Sequence, residues 1–342
     1  MRRCSRCILP ECFPGVSFHQ QGECNHCITY EDNLQKWQES KQRFKERFLW
    51  LLDTVPRDGH YDCLIAYSGG KDSSYTLKVM VEKYGCKVLA FTFDNGFLPE
   101  VAHQNIRRVV EGAGVDHLLV KPDFTLLRKI FVEAAGGELY ARKTVERAST
   151  ICTSCIAFVK FASLRTAIEQ SIPFVVFGWS PGQVAGSSPI FKTNPMIMKS
   201  MQKVVYTPLH RIAGDGINPY FLEARHFKHA VRFPYHISPL SFIEYDEEDV
   251  LEGISAYGWT RPDGVDPNST NCLINSFANQ LHKQRYGYNP YVFELSKLVR
   301  EGYLARSDAL ERVEWPADPI TLDLVKKKLL LNEVCATGGE TG

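Results

Sequence analysis

Residues 61–80 read YDCLIAYSGGKDSSYTLKVM. A short apolar run, CLIAYS, has the length of a buried strand. SSYTLKVMVEKYG after it has helical spacing. Between them stand two glycines, a lysine, an aspartate and three serines (Ser68–Ser74). A strand-to-helix turn of this composition suits an anion: backbone N–H groups at a helix start carry unpaired donors and the positive end of the helix dipole. Gly69 and Gly70 allow close backbone approach. Ser68, Ser73 and Ser74 add hydroxyls, and Lys71 adds charge. Asp72 would repel phosphate unless it caps the helix or a cation lies between them, which a bridging Mg²⁺ would satisfy. An ordinary strand-to-helix turn is the plain alternative.

The alternation continues on both sides of that turn. KVLAFTFDNG reads as a strand, PEVAHQNIRRVVEGAG as a helix and DHLLVKP as a strand; CIAFVKFASLRTAIEQ then precedes the strand PFVVFGWSPG. Strands and helices alternating over short connections predict an α/β fold with a doubly wound parallel sheet. Ligands in such sheets bind beyond the carboxyl ends of the strands, where AYSGG, DNG and GWSPGQ fall. After about residue 195 the segments YFLEARHFKHAVRF, DEEDVLEGISAYGW, NCLINSFANQLHKQRYG, YVFELSKLVREG and SDALERVEW read as helices. The expected organisation is a cysteine-rich knuckle at 1–32, a linker helix at 33–60, a domain built around the SGGKDS turn at 61–200, a mainly helical region at 201–335 and a tail at 336–342.

The spacing is not that of the GxxxxGK[ST] loop. SGGKDS at the end of a first strand resembles the signature of the PP-loop ATP pyrophosphatases, which include GMP synthetase, asparagine synthetase and tRNA thiolation enzymes. The resemblance implies a PP-loop (HUP-like) sheet and ATP cleaved to AMP and pyrophosphate. A substrate oxygen would be adenylated and then displaced by nitrogen or sulfur. It also implies that Ser68, Gly69, Gly70, Lys71, Asp72, Ser73, Ser74, Asp94 and Gly178 lie near the nucleotide, with Lys71 and Asp72 in catalytic roles.

Eleven cysteines stand in the chain. Cys4, Cys7, Cys24 and Cys27 form CxxC–x16–CxxC, a four-thiolate set suited to a closed, structural Zn²⁺ site; Cys12 and His26 are the alternative ligands. Gly15 and Gly22 fall where tight turns are needed. The segment CSRCILPECFPGVSFHQQGECNHCITYE resembles the N-terminus of the N-acetyl sugar amidotransferases of the PseA and WbpG type. That likeness continues at YDEEDVLEGISAYGW and LSKLVREGYLARSDALERV.

A third pair, Cys152 and Cys155, opens a helix in STICTSCIAFVKF, and Cys272 lies in NSTNCLIN. A helix N-terminus lowers a thiol's pKa. The set resembles the iron–sulfur tRNA thiolases of the TtcA and TtuA type, in which a CxxC pair and one distant cysteine hold a [4Fe-4S] cluster with one iron open to sulfide. A redox or persulfide-carrying pair, or a small-residue helix start with a buried Cys272, remain open. The sugar amidotransferase likeness does not extend to these three. Cys63, Cys86 and Cys335 carry no motif.

Lesser candidates are a backbone nest or simple turn at Gly178–Gln183, a polar group at Asn268, Asn271, Asn275, Asn279 and His282 that either orients substrate or is a solvated helix face, and a basic patch at His226, Lys228, His229 and Arg232. Net charge is +1, which excludes a grossly basic nucleic-acid binder. No apolar run is read as spanning a bilayer and no apolar leader follows MRRCSRC, so a cytoplasmic enzyme without a membrane partner is expected.

The expected function is ATP-dependent, AMP-forming activation of a carbonyl oxygen followed by sulfur transfer. Its cofactors would be ATP, Mg²⁺, Zn²⁺ and a [4Fe-4S] cluster, its partners a small-molecule or nucleotide substrate and a sulfur donor. Binding of tRNA and a homodimer are left open. The alternative is nitrogen transfer to an N-acetyl sugar with ammonia from a glutaminase partner; a built-in glutaminase would need a cysteine after the initiator methionine, where Arg2 stands. A non-catalytic nucleotide-binding regulator is a third class, disfavoured by the complete SGGKDS motif.

Overall fold

The computed structural model describes residues 1–57, 59–184 and 188–331. Cys335 and the tail at 336–342 lie outside them. Two helices, α1 (Asn25–Asp32) and α2 (Leu34–Thr54), lead into the sheet. The chain then alternates: β1 (Cys63–Ala66), α3 (Lys71–Lys78), β2 (Val88–Phe93), α4 (Glu100–Ala113), β3 (Asp116–Val120), α5 (Phe124–Gly136), α6 (Thr150–Glu169) and β4 (Phe174–Phe177). Next come β5 (Ile190–Lys192), α7 (Pro195–Ala213), α8 (Ala224–Phe227), β6 (Tyr235–Ile237) and α9 (Glu247–Ser255). Four helices close the described chain: α10 (Ile274–Tyr286), α11 (Val292–Arg300), α12 (Arg306–Glu314) and α13 (Pro319–Leu329).

The six strands lie in the order β3-β2-β1-β4-β6-β5. All neighbours pair in parallel except β5, which runs antiparallel to β6 at the edge. The expected doubly wound α/β sheet is therefore present, with one antiparallel edge strand added. The order reverses between β1 and β4, and this switch point opens the crevice that holds ligands in such sheets.

Burial explains the run-like sequences of the central strands. Every residue of β1, β2 and β4 is buried, because helices cover both faces. Phe91, Phe131, Phe158 and Phe161 fill one side. Phe48, Leu77, Val109, Val176 and Ile254 fill the other. Each such side chain taken from water contributes roughly 1.5–3 kcal/mol.

Several readings change here. The sequence reading places no element over α5 or α7, although in α5 the buried Leu127, Ile130, Phe131 and Ala134 fall at helical spacing. YFLEARHFKHAVRF yields only the single turn of α8, which stops at Phe227, and a 3-10 turn at Ala230–Arg232 before β6. α6 is long and apolar enough, by length and composition, to cross a membrane, contrary to the expectation that no run would be. More than half of that stretch is buried within the protein, where the helix packs against the sheet and against α5, α7 and α10.

The N-terminal segment is not an isolated appendage. Ile8, Leu9 and Phe13 share one apolar cluster with Tyr288, Val292, Leu295, Ala309 and Val313. Arg306 ties the two ends further, donating to the carbonyl oxygens of Cys7 (2.9 Å) and Cys4 (3.1 Å).

Candidate functional site

The Gly-Gly turn leaves β1 at the switch point. Gly69 has φ +76°, and a Cβ there would stand 2.6 Å from Ile106 Cγ1. Gly70 caps α3 in an extended conformation. Ser73 Oγ donates to Gly70 O (3.0 Å) and lies 3.1 Å from Ser68 Oγ. Ser74 points away, toward Tyr67 OH at 3.3 Å.

A distant segment straps the turn down. Trp259 Nε1 donates to Gly69 O (2.9 Å), Asn271 Nδ2 to Ser68 O (2.9 Å), and Lys71 N–H to Thr270 Oγ1 (3.1 Å). The sequence reading missed Trp259 and Thr270, which carry no motif.

Lys71 does not extend into open space. Its ammonium donates to Asp72 Oδ1 (2.8 Å) and Tyr245 OH (3.0 Å) and lies 3.5 Å from Glu247 Oε1. Burial works against the charge, but the neighbouring oxygens outweigh it and hold the ammonium above its ordinary range. Asp72 Oδ1 also accepts from Tyr245 (2.9 Å), and Oδ2 is left for another partner. Asp94 is buried at the end of β2; Oδ1 accepts from Gly96 N–H (2.8 Å) and Oδ2 lies 3.3 Å from Lys121. The adjacent Asn95, not Asp94, lines the cavity described next.

A cavity of about 470 Å³ joins this turn to the third cysteine group. Ser68, Gly70, Lys71, Asp72 and Ser73 line one end; Cys152, Cys155 and Cys272 line the other. Ser149 caps α6 by accepting from Cys152 N–H at 3.1 Å. The expectation that the helix start lowers these thiols is reversed. Each presents some surface to the cavity yet is deeply enclosed by protein, and burial raises all three, Cys152 to about 12. Among the described residues no cation acts on these thiols, and the dipole does not offset desolvation. Asn95 Nδ2 lies 3.5 Å from Cys155 Sγ and 3.3 Å from Cys272 Sγ; Asn275 Nδ2 lies 3.5 Å from Cys152 Sγ.

The asparagines are not a solvated face. Asn275 and Asn279 are buried and linked: Asn279 Nδ2 donates to Asn275 Oδ1 (2.8 Å) and Asp266 Oδ2 (2.9 Å). Asn268 donates from Nδ2 to Asp266 Oδ1 (2.9 Å). His282 turns instead into a small separate space beside Ser149 and Arg285, and burial lowers it to about 4.

GWSPGQ forms a turn. Gln183 N–H donates to Ser180 O (3.0 Å), and Arg147 donates to the carbonyls of Gly182 (3.0 Å) and Gln183 (2.9 Å). Ser180 Oγ donates to Glu294 Oε1 at 2.7 Å. Glu294 lines the cavity, and burial raises its carboxyl to about 7 despite the Ser180 bond. Sequence reading missed it; one glutamate among thirty-nine acidic residues carries no signal. The basic patch divides: His226 is buried against Glu169 Oε1 (3.0 Å), while Lys228, His229 and Arg232 are exposed.

Cys4, Cys7, Cys24 and Cys27 form a buried metal-binding group. Their sulfurs approach at 3.7 Å (Cys4–Cys27), 3.7 Å (Cys7–Cys24) and 3.6 Å (Cys24–Cys27). Four sulfurs about 2.3 Å from one tetrahedral ion stand about 3.8 Å apart, so the group fits a single ion. Gly15 and Gly22 have φ of +73° and +84°. Cys12 lies by Gly287 O, and His26 packs edge-on to Phe293. Among the described residues, no other set of three or more His, Cys, Asp or Glu has ligand atoms within 4.8 Å of one another. At least one pair among Cys152, Cys155 and Cys272 therefore has its sulfurs more than 4.8 Å apart. Cys63 in β1 and Cys86 before β2 are buried.

No family model matches the chain. An uncharacterised protein of Methanocaldococcus jannaschii is 22% identical over 322 residues, 93% of this chain and 95% of that protein. Argininosuccinate synthase of Syntrophobacter fumaroxidans is 30% identical over 117 residues, 34% of this chain and 28% of that protein. Among solved structures the chain is similar to the U34-tRNA thiolase NcsA from Methanococcus maripaludis with its [4Fe-4S] cluster (18% identity, 92% of this chain, 90% of that chain, TM-score 0.36). It is also similar to NMN synthetase from Francisella tularensis (12%, 86%, 95%, TM-score 0.38). A third is a predicted tRNA methyltransferase subunit from M. jannaschii (17%, 68%, 90%, TM-score 0.32).

Proposed function

We propose that this chain is an AMP-forming, ATP-dependent sulfurtransferase: it adenylates a substrate carbonyl oxygen and replaces that oxygen with sulfur at an iron–sulfur site. The observation that carries this reading is the single cavity with SGGKDS at one end and Cys152, Cys155 and Cys272 at the other.

ATP phosphates would lie over the turn at Ser68–Ser73, where Gly70 leaves room that a Cβ would fill, 3.3 Å from both Asn271 Oδ1 and Thr270 Oγ1. Asp72 Oδ2 would hold Mg²⁺ against the phosphates, while Lys71 fixes Oδ1. The substrate oxygen, held in the cavity, attacks the α-phosphorus and pyrophosphate leaves. Glu294 would take up the N–H proton that an amide-type substrate gives up as its carbonyl oxygen bonds to phosphorus. AMP is then a far better leaving group than the original oxygen.

Cys152, Cys155 and Cys272 would hold a [4Fe-4S] cluster, which supplies a sulfur-binding site because three protein ligands leave one iron open. Their soft thiolate donor set suits iron–sulfur ligation, and all three line the one cavity. Zn²⁺ is assigned to Cys4, Cys7, Cys24 and Cys27 as a closed structural site.

Purified anaerobically, the chain is expected to convert ATP to AMP and pyrophosphate with a carbonyl substrate and hydrosulfide. Full activity of iron-free protein with ammonia would favour nitrogen transfer instead.

A further inference from the structure

Each sulfur of the Cys152, Cys155 and Cys272 group has a side-chain amide against it. Asn95, just beyond β2, serves two of them at 3.5 and 3.3 Å; Asn275, on α10, serves the third at 3.5 Å. Two residues thereby tie together α6, the end of β2 and the start of α10.

The orientation of both amides is fixed by what their oxygens do. Asn95 Oδ1 accepts from Phe97 N–H at 2.9 Å, so only Nδ2 is left for sulfur. Asn275 Oδ1 accepts from Asn279 Nδ2 at 2.8 Å. Asn279 is itself oriented, because its Nδ2 also reaches Asp266 Oδ2 (2.9 Å), which accepts there. Asp266 is held by Asn268 N–H (2.9 Å). The second hydrogen of Asn275 goes to Tyr291 OH at 3.1 Å. A donor aimed at sulfur fits an anionic ligand sulfur far better than a neutral thiol, whose sulfur accepts weakly.

We propose that Asn95 and Asn275 are the positioning residues that hold Cys152, Cys155 and Cys272 as cluster-bearing thiolates, with Asn279 and Asp266 setting the direction of the Asn275 amide. This rests on the iron–sulfur reading above. Two consequences follow from the electrostatics. The N–H dipoles lower the cost of burying negative sulfur, so they strengthen the hold on metal. They also favour the more negative, reduced state of a bound cluster, so they raise its reduction potential.

The test compares full-length protein with N95D, N275D and N279L after anaerobic reconstitution with ferrous iron and sulfide. The aspartates keep the shape and the accepting oxygen but replace the donor by a negative oxygen. Iron and acid-labile sulfide per chain, the rate of cluster loss to a chelator, and the reduction midpoint are measured. Metal at the four-cysteine group and the melting midpoint report folding. N95D and N275D are expected to lose the cluster about 10–100-fold faster, with a lower midpoint, and N279L is expected to shift the same way by less. Should an aspartate variant fail to fold, N95A or N275A, which removes the donor at that position without adding charge, takes its place. Unchanged loss rates and midpoints in variants that fold overturn the proposal and leave the iron–sulfur reading standing. Wild-type protein that takes up no iron overturns both.

Discussion

A Cβ at Gly178 would stand 2.5 Å from Ser73 Cα and 2.9 Å from Ser73 N. The chain leaving β4 therefore runs directly over the first turn of α3, backbone against backbone. Neither can give way without moving the Gly69–Gly70 turn. G178A is expected to cost about 1–3 kcal/mol of stability and to weaken ATP binding at least tenfold, measured by thermal unfolding and isothermal titration with ATP and Mg²⁺. Wild-type affinity in G178A would show that the crossing does not shape the nucleotide site.

Lys71 is the cation of a buried oxygen cluster. K71M leaves Asp72 and Glu247 with Arg312, 2.7 Å from Glu247, as the one cation paired to either among the described residues. Breaking a buried pair on one side costs about 3–5 kcal/mol. Thermal unfolding of K71M is expected to show a loss of that size, whereas a lysine serving phosphate alone would leave the stability of nucleotide-free protein unchanged.

Glu294 gives a signed pH dependence. Its carboxyl is raised to about 7 by burial, so the folded state favours the protonated form. The stability this lends is full below the ordinary glutamate range and is lost as pH rises through about 7. E294Q keeps an acceptor for Ser180 and carries no charge. It is expected to melt above wild type at pH 8 and with it at pH 4. Its AMP formation is expected to be lower and to lack the wild-type rise through pH 7, since glutamine takes up no proton. A melting difference independent of pH would contradict the assignment.

The four-cysteine group couples the two ends of the chain. C24S is expected to lose one bound metal ion per chain and to loosen α11 and α12, since Arg306 and the Ile8–Leu9–Phe13 cluster depend on the knuckle. Hydrogen exchange of those helices should rise well before that of β1, β2 and β4. Unaltered exchange in C24S would mean that packing alone holds the ends together.

The sheet was legible because its central strands are buried on both faces and read as unbroken apolar runs, each ended by a glycine-bearing turn. The four-cysteine spacing was legible for a similar reason: ligand geometry dictates it. What stayed hidden are partners supplied from afar. Trp259, Thr270 and Tyr245 meet the turn across more than 170 residues of chain, and no local period marks them. Cys152 shows the limit of a local rule. Its place near a helix start argues for a lowered pKa, yet desolvation by the surrounding protein sets the sign. Asn275 likewise reads as a helix-face amide until the packing of α10 against α6 buries it beside a sulfur.

Counting iron and acid-labile sulfide in anaerobically purified wild-type protein and in C272A tests the central claim most directly. The account predicts about four of each per chain in wild type, falling sharply in C272A while the metal of Cys4, Cys7, Cys24 and Cys27 is retained. Iron-free wild-type protein, or iron unaffected by C272A, would contradict it.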